Sequence, residues 1–153
     1  MRRLAFSVLL AMLLPAAAQA EFWLGVGVDG GIAGINIEVA NDRGSAWILV
    51  GAYQSSTGFE LFDEMTAVAG VRRYQTGYSQ NGYFAGLFLG DVDGSDGEPR
   101  LGAGGELGYQ WLTDNLRMTL QAGMALAEGD DNKPGESAVK PVPMLGASVS
   151  MRL

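Results

Sequence analysis

Glu38, Arg72, Glu106, Gln110, Arg117, Gln121 and Arg152 are the residues of this chain whose types and spacing could do chemistry together. Each falls on the polar side of a stretch that alternates polar and apolar residues. Two carboxylates and three arginines brought to one place could form a proton or ion path, or could neutralise one another as a buried network. The 153 residues include no histidine and no cysteine. That removes the commonest general base near neutral pH and the commonest metal ligand, and with them most hydrolase and zinc designs. It also removes a disulfide framework and anchoring through a lipidated cysteine. A Ser/Lys or paired-carboxylate site stays possible, but no residue is singled out as catalytic, cofactor-binding or metal-ligating, and no cofactor is expected.

A second candidate is Asp91-Val92-Asp93-Gly94-Ser95-Asp96-Gly97-Glu98, where carboxylates alternate within a glycine-rich stretch. It departs from the EF-hand pattern, because glycine is not sixth and Gly102 stands where the bidentate glutamate belongs. A solvated acidic loop is the better account. Acidic residues outnumber basic ones overall, 17 to 10, which argues against nucleic acid as a partner.

Residues 1–20 read as a signal peptide. Arg2 and Arg3 form the positive start, Leu4 to Leu14 the apolar core, and Ala18-Gln19-Ala20 the small-residue cleavage pattern. Cleavage after Ala20 implies export and leaves residues 21–153 as one domain.

Beyond residue 20 the chain alternates with period two between turn signals, and eight strands are predicted. They span about 21–28, 33–40, 46–53, 65–74, 83–90, 101–111, 116–126 and 145–153. In the seventh, Leu116, Met118, Leu120, Met124 and Leu126 oppose Arg117, Thr119 and Gln121. The third and fifth are apolar on both sides, so their faces stay open. Glycine, at 23 residues, is about twice its usual share of roughly 7% and sits inside the strands, where it signals crowding on one face.

Connections alternate in length, apart from the first, Asp29 to Ile32, which is short where a long one belongs. Compact turns follow the second, fourth and sixth strands, while long polar or acidic loops follow the third, fifth and seventh. That layout is expected of an even-stranded antiparallel up-and-down barrel with both termini on one side. A polar, glycine-spaced face suits the cramped interior of eight strands, and the apolar face suits lipid. In so small a barrel, side chains fill the interior, which favours the buried-network reading of the seven polar residues.

With these features the chain resembles the small eight-stranded outer-membrane β-barrels, the OmpA transmembrane domain and the OmpX-like and OmpW-like proteins. The resemblance is architectural, with no family-specific motif. It implies an outer-membrane location, contact with lipid and lipopolysaccharide, insertion by the barrel-assembly machinery, and an envelope-structural or surface-interaction role. Such barrels usually end in an aromatic residue, whereas this chain ends in Leu153. Enzymatic barrels of this size use a histidine near a serine, so a non-enzymatic protein is expected. Two alternatives stay open: a soluble periplasmic lipocalin-like barrel for a small apolar ligand, and an OmpW-like conduit for small hydrophobic molecules.

Three finer expectations follow from the layout. Phe22, Tyr83, Tyr109 and Trp111 should lie near the short-turn ends of their strands, and Arg43 and Arg73 near the same boundary. A turn centred on Asp114 would bring Gln110 close to Arg117. Glu106, roughly 13 Å further along, should then reach for Arg72 across the lumen or lie opposite Gln121.

Overall fold

A computed structural model describes residues 20–53, 65–93, 99–128 and 139–153. Its eight strands are β1 (Glu21–Asp29), β2 (Ile32–Asn41), β3 (Gly44–Tyr53), β4 (Met65–Tyr74), β5 (Gly82–Asp93), β6 (Pro99–Thr113), β7 (Leu116–Glu128) and β8 (Val139–Arg152). Each pairs antiparallel with the next, and β8 pairs with β1, so the sheet closes into an all-β, up-and-down barrel. Following register partners from Gly25 through Asn36, Leu49, Val68, Gly90, Gly102 and Ala127 to Lys140 returns to β1 displaced by about ten residues. A stagger of that size goes with strands tilted by roughly 35–45°.

The start of β1, the end of β8 and three short connections share one end of the barrel, the short-turn end. Two residues join β2 to β3 and two join β6 to β7. At the opposite, loop end, Gly30 and Gly31 both have positive φ, as a two-residue hairpin turn between β1 and β2 requires. Phe59, Phe62 and the centre of the acidic stretch at 91–98 lie outside the described residues. Asp91 belongs to β5, which runs three residues beyond the predicted strand. Its carboxylate accepts a 3.2 Å hydrogen bond from the Ala67 amide.

The alternation sorts side chains cleanly. Leu116, Met118, Leu120, Met124 and Leu126 face out, between 41% and 58% exposed, and similar apolar files cover the other strands. Among the rings on that outer wall, Tyr83 stacks edge-on against Tyr109 at 4.9 Å, and Tyr109 lies 4.8 Å from Trp111, close to the short-turn end. The two ambiguous strands are decided by their large side chains. On β3, Trp47 and Leu49 point inward, and on β5, Phe84, Phe88 and Val92 do.

The interior is therefore layered rather than uniformly polar. Trp23, Ala40, Tyr74, Tyr78 and Phe84 pack together near the short-turn end, with Leu112 against them. Ile32, Trp47, Leu49, Val68, Phe88, Val92 and Met144 form a second cluster towards the loop end. The strand glycines make room for this filling. A methyl group at Gly104 would strike the Phe88 ring, and one at Gly108 the Phe84 ring.

The eighth strand begins six residues before the predicted start and contains Pro141 and Pro143, which normally exclude a paired strand. Leu145, on the same alternating file, directs its carbonyl towards β1, where it accepts from the Gly30 amide at 3.2 Å. The N–H groups that proline lacks would point the same way, past the end of β1, whose pairing with β8 stops at Asp29 and Gly146. Both prolines keep their pairing positions opposite β7, at Leu126 and Met124, and no ladder bond is lost.

Candidate functional site: a charged layer across the lumen

Glu38 on β2, Arg72 on β4, Glu106 on β6 and Arg117 on β7 meet inside the barrel between the two apolar clusters, and no side chain of the four is more than 2% exposed. Arg72 grips Glu106 with both sides of its guanidinium, Nε to Oε1 at 2.7 Å and Nη2 to Oε2 at 3.2 Å. It also donates to Glu38 at 3.4 Å. Glu38 accepts in addition from Arg117 and from the Tyr74 hydroxyl, the latter at 2.9 Å. Arg117 completes its set with the Tyr78 hydroxyl and, at 3.2 Å, the Ser150 hydroxyl. Two positive and two negative groups thus cancel locally, which buried charges need if they are to stay charged.

Aromatic rings complete the layer. The Arg72 guanidinium lies 4.5 Å from the Trp47 ring centre and 4.7 Å from that of Phe84. Arg117 lies 5.0 Å from both Trp23 and Tyr78. Stacking of this kind removes guanidinium faces from water while keeping an attractive partner. Gly86, on β5 directly between Arg72 and Glu106, supplies the room for their pairing, since a Cβ there would come within 2.6 Å of the Glu106 carboxylate. Burial, and after it the nearby Glu38 charge, push the Tyr78 phenol well above its ordinary value. Tyr78 therefore stays a neutral hydroxyl that can accept from Arg117.

The seven sequence-predicted residues separate into four groups. Glu38, Arg72, Glu106 and Arg117 form the layer. Gln110 is fully buried but outside it, donating to the Tyr78 and Gln80 carbonyls at 2.7 and 2.6 Å. It thereby holds the β4–β5 connection over the lumen and Tyr78 against Arg117. Gln121 lies towards the loop end, where its amide donates to Asp29 at 3.0 Å. Arg152 is a correction. It is exposed at the short-turn rim and donates to Glu21 at 3.4 Å and Asn115 at 3.0 Å. The inward file of β8 has its last buried member at Ser150, and Arg152 lies one step beyond it.

The predicted register across the β6–β7 turn also shifts. The turn is Asp114-Asn115 alone, so Gln110 pairs with Thr119, Leu112 with Arg117 and Glu106 with Gly123. A shift of two residues preserves every face, and Glu106 still reaches across β5 to Arg72. Sequence reasoning missed Trp23, Tyr74, Tyr78, Trp47, Phe84 and Asp29. Trp23 and Tyr74 share inward files with Gly25 and Arg72, so parity could have found them. Trp47 and Phe84 lie in two-sided apolar strands and Tyr78 in a turn, where parity says nothing.

Chemically, every carboxylate oxygen of the layer is engaged: each oxygen of Glu38 and Glu106 accepts at least one hydrogen bond. On the donor side, the buried Nε of Arg117 has no partner among the described residues. Among the described residues no three His, Cys, Asp or Glu side chains are placed to share a metal ion. On the loop side of Arg72 lies a cavity of about 10 Å³, bordered by Asp29, Asn36, Trp47, Gln121 and Ser148, which is room for one water molecule. Comparison with protein-family models, with curated proteins and with solved structures gives no match to this chain.

Proposed function

We propose that this chain is a non-enzymatic outer-membrane barrel, exported by its signal peptide, whose interior is sealed and whose contribution is to envelope structure or surface interaction. The observation that carries the reading is the inversion of polarity. Leu, Val, Ile and Met side chains cover the outside, while the ion pairs lie within. In water such a wall would leave an apolar surface far beyond the few hundred Å² that soluble monomers tolerate. Against lipid, the same wall is the favourable one, and closure leaves no unpaired strand edge in the hydrocarbon. The short-turn end would face the periplasm and the long acidic loops the exterior. There they could meet lipopolysaccharide, weakly bridged by divalent cations, after insertion by the assembly machinery.

The alternatives fit less well. A lipocalin-like carrier needs an apolar cavity and a polar exterior, and a conduit for hydrophobic molecules needs an open apolar lumen. Here the described lumen is crossed by charges and filled with rings. Cell fractionation followed by gel migration with and without boiling tests the proposal. The protein should be recovered with outer membranes and change mobility on boiling; recovery from the soluble periplasm without detergent would defeat the reading.

A further inference from the structure

Arg73 stands on the outward file of β4 with Met65, Ala67, Ala69 and Val71, one residue from the buried Arg72. Its register partner on β3 is Gly44, and Arg43 is the residue before Gly44, in the two-residue β2–β3 turn. Both arginines are exposed. Neither forms an ion pair among the described residues, even with Asp42 in the same turn. Arg152, at the same end of the barrel, differs in being neutralised by Glu21.

Next to the two free guanidinium groups, a groove of about 310 Å³ runs along the outer wall. Its apolar floor is Val39, Ala46 and Val71, successive register partners across β2, β3 and β4. Small side chains keep it open, Gly44 and Ala46 on the β3 side of Arg73. The depth is also defined. Arg73 pairs with Ala85, two residues further from the short-turn end than Tyr83, whose ring belongs to the outward Tyr83–Tyr109–Trp111 row. Exposed tyrosine and tryptophan rings mark the headgroup level of a lipid-facing wall. Arg73 thus lies just inside that level, where an unpaired cation calls for an anion.

We propose that Arg43 and Arg73 clamp the phosphate of an anionic glycerophospholipid, with an acyl chain lying in the Val39–Ala46–Val71 groove. The inference rests on the membrane reading above. Guanidinium groups suit phosphate because their planar donors can bind two oxygens at once, and the adjoining groove selects a phosphate that carries a hydrocarbon chain. Two positive charges with no counter-ion among the described residues favour a lipid of net negative charge over a zwitterionic one.

The test uses the full mature chain, inserted into vesicles of equal parts phosphatidylglycerol and phosphatidylethanolamine, then extracted in mild detergent. Co-purifying lipid is quantified by mass spectrometry. Phosphatidylglycerol should be enriched on the wild-type protein, and excess inorganic phosphate should not displace it. Each of Arg43→Gln and Arg73→Gln should lower the enrichment by roughly fivefold, the effect of one basic residue near an anionic surface, and the double variant should abolish it. Arg152→Gln, already neutralised in the wild type, should leave it unchanged. Equal retention of the two lipids, or an equal loss in Arg152→Gln, would overturn the clamp. Mobility on boiling is scored on the same samples. A chain that never inserts sinks the membrane reading and the clamp together, whereas insertion without lipid preference sinks the clamp alone.

Discussion

Arg72 and Arg73 are consecutive in the chain, and the wall of the barrel stands between them. Arg72 is buried, held by Glu106 and Glu38 and stacked between Trp47 and Phe84. Arg73 is exposed on the outer wall, with an alanine on one side and a glycine on the other. The same side chain meets two opposite solvation problems within one residue. Inside, the protein supplies the counter-charge, because nothing else reaches a site excluded from solvent. Outside, near the rim, the surroundings supply it. Polarity in this fold is thus a property of the face, assigned by period-two alternation, and each face solves its own electrostatics.

Breaking the inner side should have the largest effect. Glu38→Ala removes the carboxylate shared by Arg72 and Arg117, leaving Arg117 without a carboxylate partner, and should cost about 3–5 kcal/mol. Urea unfolding of the refolded barrel in detergent measures it; an unchanged midpoint would mean that the layer is not closed to water. Glu106→Ala, which takes the bidentate partner from Arg72, should lose a few kcal/mol in the same assay.

Placing a charge on the outer face away from the rim is the converse experiment. Leu120→Arg should destabilise the inserted protein by about 2–4 kcal/mol if Leu120 sits near the bilayer midplane. Equal stability of Leu120→Arg and wild type in vesicles would remove the lipid-facing assignment of β7.

Gly108→Ala tests the packing behind the inner charges. The added methyl would meet the Phe84 ring, which lies against Arg72, so a loss of about 1–3 kcal/mol is expected. A neutral effect in the urea midpoint would show that Phe84 can move without disturbing the layer. Arg73→Gln should be the mildest change, within about 1 kcal/mol, because near the interface a cation on the lipid face costs little and contributes little to folding. A loss as large as that for Glu106→Ala would erase the contrast between the two arginines.

The amino-acid sequence by itself determined which residues share a face and where the chain turns. Alternation is local, and it placed Glu38, Arg72, Glu106, Gln110, Arg117 and Gln121 on inward files without any knowledge of their neighbours. Turn chemistry located seven connections, and their alternating lengths implied up-and-down order. What lay beyond it were the relations that depend on closure. Arg72 and Glu106 are 34 residues apart and Arg117 and Glu38 are 79 apart, so their meeting follows from the accumulated stagger of several strand pairs. A two-residue error at a turn moves every contact that spans it, whereas the Arg72–Glu106 contact, set by β4, β5 and β6, is independent of the β6–β7 turn. The faces of β3 and β5 were undecided because both of their sides are apolar. Only the interior volume, with glycines opposite Phe84 and Phe88, selects which rings point inward. Arg152 shows the same limit at the other extreme. Its parity is that of an inward residue, but parity carries no information about where the barrel ends, and the last step of β8 takes its side chain to the rim.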